Sequence, residues 1–366
     1  TNGPFSYFFR GRTLPITFWH EADYAIVYAQ DWQRQLPSRK AVAYFQQLTP
    51  EQVITVDGLD YAHIYDLRGA PLPGYVIDWV NEQGEAAIRL VSYQLAAAPI
   101  KPGETVRAIF YLLNRAPIAT NLSVLVRVVG AKGEEIARAE GWPWGAATSS
   151  WQEGVVWPDG HDLTIPATTP DGYYRVELGF YDPETQALLP AVQAASAAPL
   201  GDLATVDVIQ VGELPRPAQS LHPPVAFGNQ ALLLGATWQT ADGEALDPDT
   251  LTLRSGEPVT VRLFWQAQQW MGTDYTAFVH LVGPDGALAA QADQPPLGGF
   301  WPTSAWPPGQ QVADTFVLAL PADAPPGEYR FVTGLYDPAT VTRLPVSRSG
   351  KPLGDAFLLT TVQRER

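Results

Sequence analysis

The sequence predicts a mostly β protein in which a small α/β element precedes two tandem antiparallel β-sandwiches of immunoglobulin or fibronectin type. Three observations predict this fold: one long pattern occurs twice along the 366 residues, apolar residues alternate with a period of two, and 34 residues are proline. Such alternation is typical of strands that turn one face to a core. Abundant proline favours turns and edges over long helices.

Residues 1–70 are predicted to form a β-α-β-β element. Tyr24–Tyr28 is an apolar run of strand length, and Ser38 suits the N-cap of a helix that ends before Pro50. Two further strand-like runs flank Asp57-Gly58, which is typical of a two-residue hairpin turn. The element is too small for a secure core of its own, so we expect it to pack on a neighbour or to end a larger α/β domain.

The remainder of the chain contains two copies of one domain. Landmark residues recur in the same order and at nearly constant spacing, and self-similarity of this kind indicates repeated domains. The landmarks are Gly103 and Gly256, Trp151 and Trp306, and Asp182 and Asp337. We therefore predict sandwiches at residues 74–212 and 225–366, joined by a proline-rich linker at residues 213–224.

Turn signals within each copy indicate how the strands connect. Asp182 and Asp337 each precede a proline, which favours a type I turn over the alternative role of a calcium ligand, since calcium needs a cluster of further oxygen ligands. Tyr329, after Pro326-Gly327, is expected to bond its hydroxyl to the backbone as a corner tyrosine. His280 falls on the polar register of its strand, so we expect it to face solvent.

Composition argues against several partners and cofactors. A net charge of −15 with only four lysines would repel a phosphate backbone, so nucleic acid is not an expected partner. With no cysteine and five scattered histidines, neither a metal site nor another cofactor is expected. No nucleophile elbow or phosphate loop occurs, and the 38 acids do not single out a catalytic pair, so enzymatic activity stays open and no catalytic residue is predicted.

Tryptophans in one loop of each copy are the candidate binding residues. Trp142, Trp144 and Trp301 do not recur between the copies, and we predict exposed rings there that stack on the apolar faces of a carbohydrate. Trp151 and Trp306 occupy equivalent positions, so we predict that they anchor the loop over the end of the core. The alternative, sugar stacking at this second pair, is left open by the sequence.

Two stretches near the N terminus and the repeated pattern resemble a known family. They are Asp23-Tyr24-Ala25-Ile26-Val27-Tyr28 with Asp31-Trp32-Gln33-Arg34, and Leu59-Asp60-Tyr61-Ala62-His63-Ile64-Tyr65, together with Gly327-Glu328-Tyr329-Arg330 and Tyr336-Asp337-Pro338. The chain resembles the C-terminal extracytoplasmic region of bacterial family 39 membrane glycosyltransferases, the protein O-mannosyltransferase-like class. In that family catalysis depends on acidic residues in a loop between membrane helices, and no match to that loop occurs here.

The resemblance implies an extracytoplasmic location, on the outer face of the cytoplasmic membrane or the cell surface. It also implies a non-catalytic role beside a polyprenyl-phosphate-sugar-dependent glycosyltransferase, by positioning an acceptor or stabilising the membrane part. The alternatives are a secreted or surface carbohydrate-binding or adhesion module, and a structural spacer. The expected partners are a glycan or glycosylated acceptor, and a membrane-embedded catalytic domain upstream in the same polypeptide. We accordingly expect further chain or a processing site before Thr1.

Overall fold

The computed structural model describes residues 22–34, 39–70, 72, 74–95, 99–143, 146–254 and 256–364. The protein is mostly β, as the sequence predicts, and its antiparallel sheets are consistent with β-sandwich domains. It divides into two compact units, Thr1–Glu213 and Leu214–Arg366. The finer division into three domains stays a prediction. Within the described ranges no helix is long and apolar enough to cross a membrane.

The first unit begins with a three-stranded antiparallel sheet and two short helices. The strands are β1 (Tyr24–Tyr28), β2 (Gln52–Val56) and β3 (Leu59–Asp66), in the order β1-β3-β2, and the helices are α1 (Ala29–Arg34) and α2 (Arg39–Gln47). The predicted hairpin is confirmed: Asp57 and Gly58 have φ of 53° and 77°, as its turn requires. The sequence reasoning missed α1, whose signal is Asp31, because this carboxylate accepts the Tyr28 N–H at 3.0 Å. Ser38, the predicted cap of α2, lies outside the described residues.

This N-terminal element packs on the first sandwich. Phe45 and Tyr65 belong to the same buried apolar cluster as the sandwich core. Lys40 on α2 donates from Nζ to Val206 O at 2.7 Å and lies 3.8 Å from Asp207 Oδ1. The other oxygen of the buried Asp207 carboxylate accepts the Tyr93 hydroxyl at 2.9 Å. Apolar contacts and a largely buried ion pair therefore hold the element in one orientation.

Two sheets form the first sandwich. Their strands are β4 (Ile77–Val80), β5 (Ala86–Gln94), β6 (Thr105–Asn114), β7 (Ser123–Val129), β8 (Glu135–Gly141), β9 (Val156–Thr164), β10 (Gly172–Tyr181), β11 (Ala191–Gln193), β12 (Pro199–Gly201) and β13 (Ala204–Val211). One sheet has the order β13-β10-β7-β8 and the other β12-β11-β4-β5-β6-β9. Trp79 on β4 and Phe180 on β10 meet between the sheets, with ring centroids 4.9 Å apart.

The second unit repeats this arrangement. Its strands are β14 (Gln219–Phe227), β15 (Ala231–Thr240), β16 (Ala245–Leu246), β17 (Thr252–Leu253), β18 (Pro258–Ala267), β19 (Thr276–Val282), β20 (Leu288–Gln294), β21 (Gln311–Ala319), β22 (Gly327–Asp337), β23 (Thr342–Arg343), β24 (Val346–Arg348), β25 (Lys351–Gly354) and β26 (Phe357–Arg364). The orders β26-β22-β19-β20 and β25-β24-β14-β15-β18-β21 correspond strand for strand to those of the first unit, and β16, β17 and β23 are short additions.

The predicted linker is partly a strand. β14 begins at Gln219, inside the stretch 213–224, and pairs with β15. A register shift between Ser220 and Val225 leaves Pro223 and Pro224 out of this ladder. A bulge of this kind lets a strand contain residues that have no N–H to donate. The proline-rich stretch therefore contains the start of β14, and the boundaries of the predicted domains stay a prediction.

Turns and corners follow the sequence prediction. Tyr329 donates its hydroxyl to Pro325 O at 2.6 Å, and its counterpart Tyr174 donates to Pro170 O at 2.8 Å, so the corner-tyrosine prediction is confirmed. The Asp337 carboxylate accepts the Ala339 N–H at 2.9 Å, and Asp182 accepts the Glu184 N–H at 2.8 Å. Both aspartates thus organise the turn that ends a long strand, as their turn interpretation requires.

His280 is not the solvent-facing residue that its register predicts. Residues Thr276–Leu281 of β19 are buried on both faces, and His280 is 8% exposed. Its ring lies against the Phe278 ring, with centroids 4.3 Å apart. The Arg343 guanidinium lies over the Phe278 ring, with Cζ 4.5 Å from the ring centroid. The absence of a side chain at Gly334 makes room for Phe278, because a Cβ there would lie 2.5 Å from the ring. Side chains from neighbouring strands therefore cover the outer face.

Candidate functional site

The candidate site in each unit is the loop that crosses from one sheet to the other. It joins β8 to β9 (residues 142–155) and β20 to β21 (residues 295–310), and it carries all the tryptophans predicted from the sequence. Short 3₁₀ turns occur at Thr148–Ser150 in the first loop, and at Pro296–Gly299 and Thr303–Ala305 in the second. Because these loops cover the end of a core, their buried backbone groups need hydrogen-bond partners.

In the crossover loop of the second unit, both tryptophans turn inward. Trp306 is fully buried and donates from Nε1 to Trp301 O at 3.0 Å. Trp301 donates from Nε1 to Ala305 O at 3.3 Å, and the two ring centroids are 6.5 Å apart. Trp301 is only 2% exposed, so the prediction of an exposed ring there is wrong. The two indoles close the loop on itself and leave no free ring face for a sugar.

In the first unit, the described part of the crossover loop has one exposed tryptophan. Trp151 is buried and stacks on Trp157, with centroids 5.6 Å apart and planes 10° apart. Asn114 holds this region by donating from Nδ2 to Trp151 O at 2.9 Å. Trp142 is 53% exposed, whereas Trp144 lies outside the described residues. Carbohydrate stacking at Trp142 and the anchoring role of Trp151 and Trp306 both stay predictions.

A buried threonine hydroxyl attaches the second loop to the sheet. Thr303 Oγ1 accepts the Tyr275 N–H at 2.8 Å and donates to Thr273 O at 3.0 Å. The neighbouring Ser304 N–H donates to Asp274 Oδ1 at 3.0 Å. We call the threonine contact the hydroxyl bridge, since one side chain joins two backbone groups of the segment before β19.

The first loop has the same hydroxyl bridge. Thr148 Oγ1 accepts the Leu122 N–H at 2.8 Å and donates to Thr120 O at 2.9 Å. Ser149 donates its hydroxyl to Asn121 Oδ1 at 2.6 Å. Sequence reasoning missed the two threonines as positioning residues, although the repeated Thr-Ser-x-Trp stretch carried the signal.

A buried carboxylate lies under the second loop. Asp314 on β21 accepts three N–H groups at 3.0 Å through Oδ1: the Gln294 side chain and the backbones of Leu297 and Thr315. Its Oδ2 is buried and has no hydrogen-bond partner among the described residues. Burial raises the pKa of Asp314 to about 6, against the lowering effect of these three hydrogen bonds. The Asp314 carboxyl group therefore binds the loop in both protonation states, and the stability of the folded unit depends on which state is present.

The first unit places an acid at the corresponding position. Asp159 on β9 pairs with Phe110 on β6, as Asp314 pairs with Leu263 on β18. Asp159 Oδ2 lies 2.6 Å from His161 Nε2. The copies therefore share a buried carboxylate at this end of the sandwich but satisfy it differently.

A second polar cluster lies on the outer face of the second unit. His280 Nε2 is 2.7 Å from Asp293 Oδ1, so these two side chains are hydrogen-bonded. Burial and the nearby Asp293 carboxylate raise the pKa of Tyr336. Since Phe278 and Arg343 pack over this region, His280 contacts protein rather than solvent. These side chains pack against one another on the outer face of the sheet.

Comparisons with known proteins do not assign a family. No protein-family model matches the chain, and no curated protein matches it. Two similar solved structures are C-terminal domains of the Streptococcus agalactiae antigen I/II polypeptide BspA and of the Streptococcus pyogenes antigen I/II-family protein AspA. Each is 10% identical over 79% of this chain, covers 99% and 98% of its own chain respectively, and has a TM-score of 0.20. This TM-score carries no argument about fold or function, and the family 39 resemblance stays an expectation.

Truncation of Trp306 is expected to destabilise the second unit strongly, because it removes a buried ring and the donor to Trp301 O. Trp306→Ala should lower the free energy of unfolding by about 3–5 kcal/mol. Trp142→Ala, the matched control at an exposed ring, should change it by less than about 0.5 kcal/mol. Urea denaturation followed by circular dichroism measures both. Equal effects of the two substitutions would contradict the anchoring role.

The raised pKa of Asp314 makes stability depend on pH in a defined direction. The folded state holds the proton more tightly than the unfolded state, so the contribution of Asp314 to stability is fully present below pH 4 and is lost as pH rises through 6. Wild type should therefore lose about 3 kcal/mol over this window relative to Asp314→Asn, which does not titrate there. Thermal unfolding at a series of pH values measures the difference. The exposed Asp323→Asn serves as control, and an identical pH profile for Asp314→Asn and wild type would disprove the assignment.

Proposed function

We propose that this chain is a non-catalytic module displayed outside the cytoplasmic membrane, in which two immunoglobulin-like sandwiches serve as a structural spacer. The sandwiches span residues 74–212 and 225–366, behind an N-terminal element at residues 1–70. The observation that carries the proposal is the hydroxyl bridge at Thr148 and Thr303, present in both copies. It ties the long crossover loop of each sandwich to the segment that leads into β7 or β19, which makes this end of the sandwich rigid.

A contact role belongs to the first copy. Its crossover loop exposes Trp142, while the equivalent loop of the second copy buries Trp301. An exposed indole on a loop held at its base by Thr148 presents a flat apolar face in a defined position. We therefore propose that Trp142 contacts a glycan and that the second sandwich supplies distance. This combination is that of a surface adhesion module.

The glycan contact is tested on a glycan array. Trp142→Ala should reduce retention of the bound glycan about fivefold, since one aromatic contact contributes about 1 kcal/mol. Leu288→Ala removes an exposed apolar side chain in the second unit and should leave retention unchanged. If wild type retains no glycan, or if both variants bind alike, the contact role at Trp142 is wrong.

A second candidate is the extracytoplasmic, accessory part of a membrane glycosyltransferase. It is favoured by the N-terminal element, which carries the stretches that resemble family 39 and which Lys40 and Asp207 hold on the first sandwich. A free-standing adhesion module has no evident need for such an element. In this proposal the element connects the sandwiches to a membrane-embedded catalytic domain.

Cell fractionation separates the two candidates. An antibody against this chain should detect a membrane-pelleted polypeptide larger than 39.9 kDa if the accessory role holds. Detergent, but not high salt, should then release it. Detection in the culture fluid alone would eliminate the accessory role and leave the adhesion module.

A further inference from the structure

We propose that the outer edge of β2 is a docking site for an extended polypeptide strand of another protein, with apolar residues in its centre and Lys or Arg at its ends. The incoming strand would add to the three-stranded sheet β1-β3-β2. This inference goes beyond the proposed function, because it assigns a partner to the N-terminal element rather than to the sandwiches.

The first argument is the position and exposure of β2. Among the described residues, β2 has β3 as its only neighbour, so its far side is a sheet edge. Every residue of Gln52–Val56 is exposed. An edge strand directs part of its N–H and C=O groups away from the sheet, where a second extended chain is able to pair with them. The strand contains neither proline nor charge, so nothing in its composition prevents such pairing.

The second argument is the apolar character of this edge and of the strand beside it. Val53, Ile54 and Val56 on β2 and Leu59 and Tyr61 on β3 are all exposed, with fractions between 37% at Ile54 and 75% at Leu59. Because side chains alternate along a strand, Ile54 and Val56 lie on one face of β2 and Val53 on the other, so an added strand would meet apolar side chains on both faces. Side chains of this kind favour extended, paired strands.

Two other edge strands of the same chain carry protective features. β25 contains Lys351 and Pro352, and β12 begins with Pro199 and has three residues. Lysine, proline and short length all discourage pairing with a foreign strand. The irregularity in β2 is a register shift between Ile54 and Thr55. It lies in the pairing with β3, so it is on the side away from the free edge.

The third argument is charge, which selects the kind of partner. Glu51, Asp57 and Asp60 flank the apolar strand, and residues 41–67 contain no lysine or arginine. A basic residue at each end of an incoming strand would meet these acids, whereas an acidic strand or an anionic lipid surface would be repelled. Self-pairing of two β2 strands in antiparallel fashion would bring Glu51 close to Asp57 of the second copy, which disfavours a dimer through this edge.

The fourth argument is the rigidity of the support. Phe45 and Tyr65 pack into the core cluster of the first unit, and Lys40 binds Val206 O and Asp207 on its sandwich. The sheet therefore keeps one orientation before the partner arrives. A binding edge that is already ordered loses less conformational entropy on binding.

The proposal is tested with two synthetic peptides and the full chain. The probe Lys-Lys-Val-Thr-Val-Thr-Val-Lys-Lys should bind at least about tenfold more tightly than Glu-Glu-Val-Thr-Val-Thr-Val-Glu-Glu by fluorescence anisotropy. Ile54→Lys and Val56→Lys should each weaken binding of the basic probe about tenfold, through repulsion and loss of apolar contact. Val317→Lys, the same change at an exposed valine of another edge strand, should leave binding unchanged.

Charge variants and alternative occupants complete the test. The double variant with Glu51→Gln and Asp57→Asn should reduce the difference in affinity between the two probes. Asparagine at residue 57 tolerates the positive φ of the turn, so the hairpin is retained. Circular dichroism of each variant verifies its fold. The proposal is overturned if both probes bind alike, if neither binds, or if Val317→Lys weakens binding as much as Ile54→Lys. It is also overturned if the edge variants instead abolish self-association or binding to phosphatidylcholine vesicles.

Discussion

The hydroxyl bridge is the interaction on which one end of each sandwich depends, the end crossed by the loop from β8 to β9 or from β20 to β21. Two sheets that bury their inner faces leave the core open at the end, and one loop has to cross it. Thr148 and Thr303 each satisfy a backbone N–H and a backbone C=O there, and such a bond contributes about 1 kcal/mol net. With the loop held, Trp151 and Trp306 take buried positions over the apolar interior.

The two copies use this constraint differently. In the second, the Trp306 indole donates to Trp301 O, the Trp301 indole donates to Ala305 O, and the carboxyl group of Asp314 accepts the Leu297 N–H. In the first, Trp151 stacks on Trp157, and Trp142 is left at the surface. The shared parts maintain the fold, so the differences mark where the copies are free to acquire separate roles. This is the physical basis for assigning contact to the first sandwich and spacing to the second.

The N-terminal element is a small sheet that shares the hydrophobic core of the first sandwich. Its inner face is completed by the first sandwich, and Lys40 and Asp207 fix the junction in one arrangement, because separating them would leave a buried charge without its partner. Since stability comes from this inner face, the outer edge of β2 contributes little to folding. The edge is therefore available for recognition at small cost to the fold.

Local patterns in the sequence determined the strands, the turns and the repetition. Val259, Val261 and Leu263 alternate into the core as their spacing predicts, and the Asp57-Gly58 turn follows from backbone preferences within two residues. Only tertiary structure decided the exposure of Trp301 and His280, because each is covered by groups far away in sequence or across a loop. Burial of a side chain depends on the residues that pack over it. The alternation along one strand does not show which residues of other strands and loops these will be. The sequence thus specified the architecture, while three-dimensional packing decided which candidate residues reach the surface.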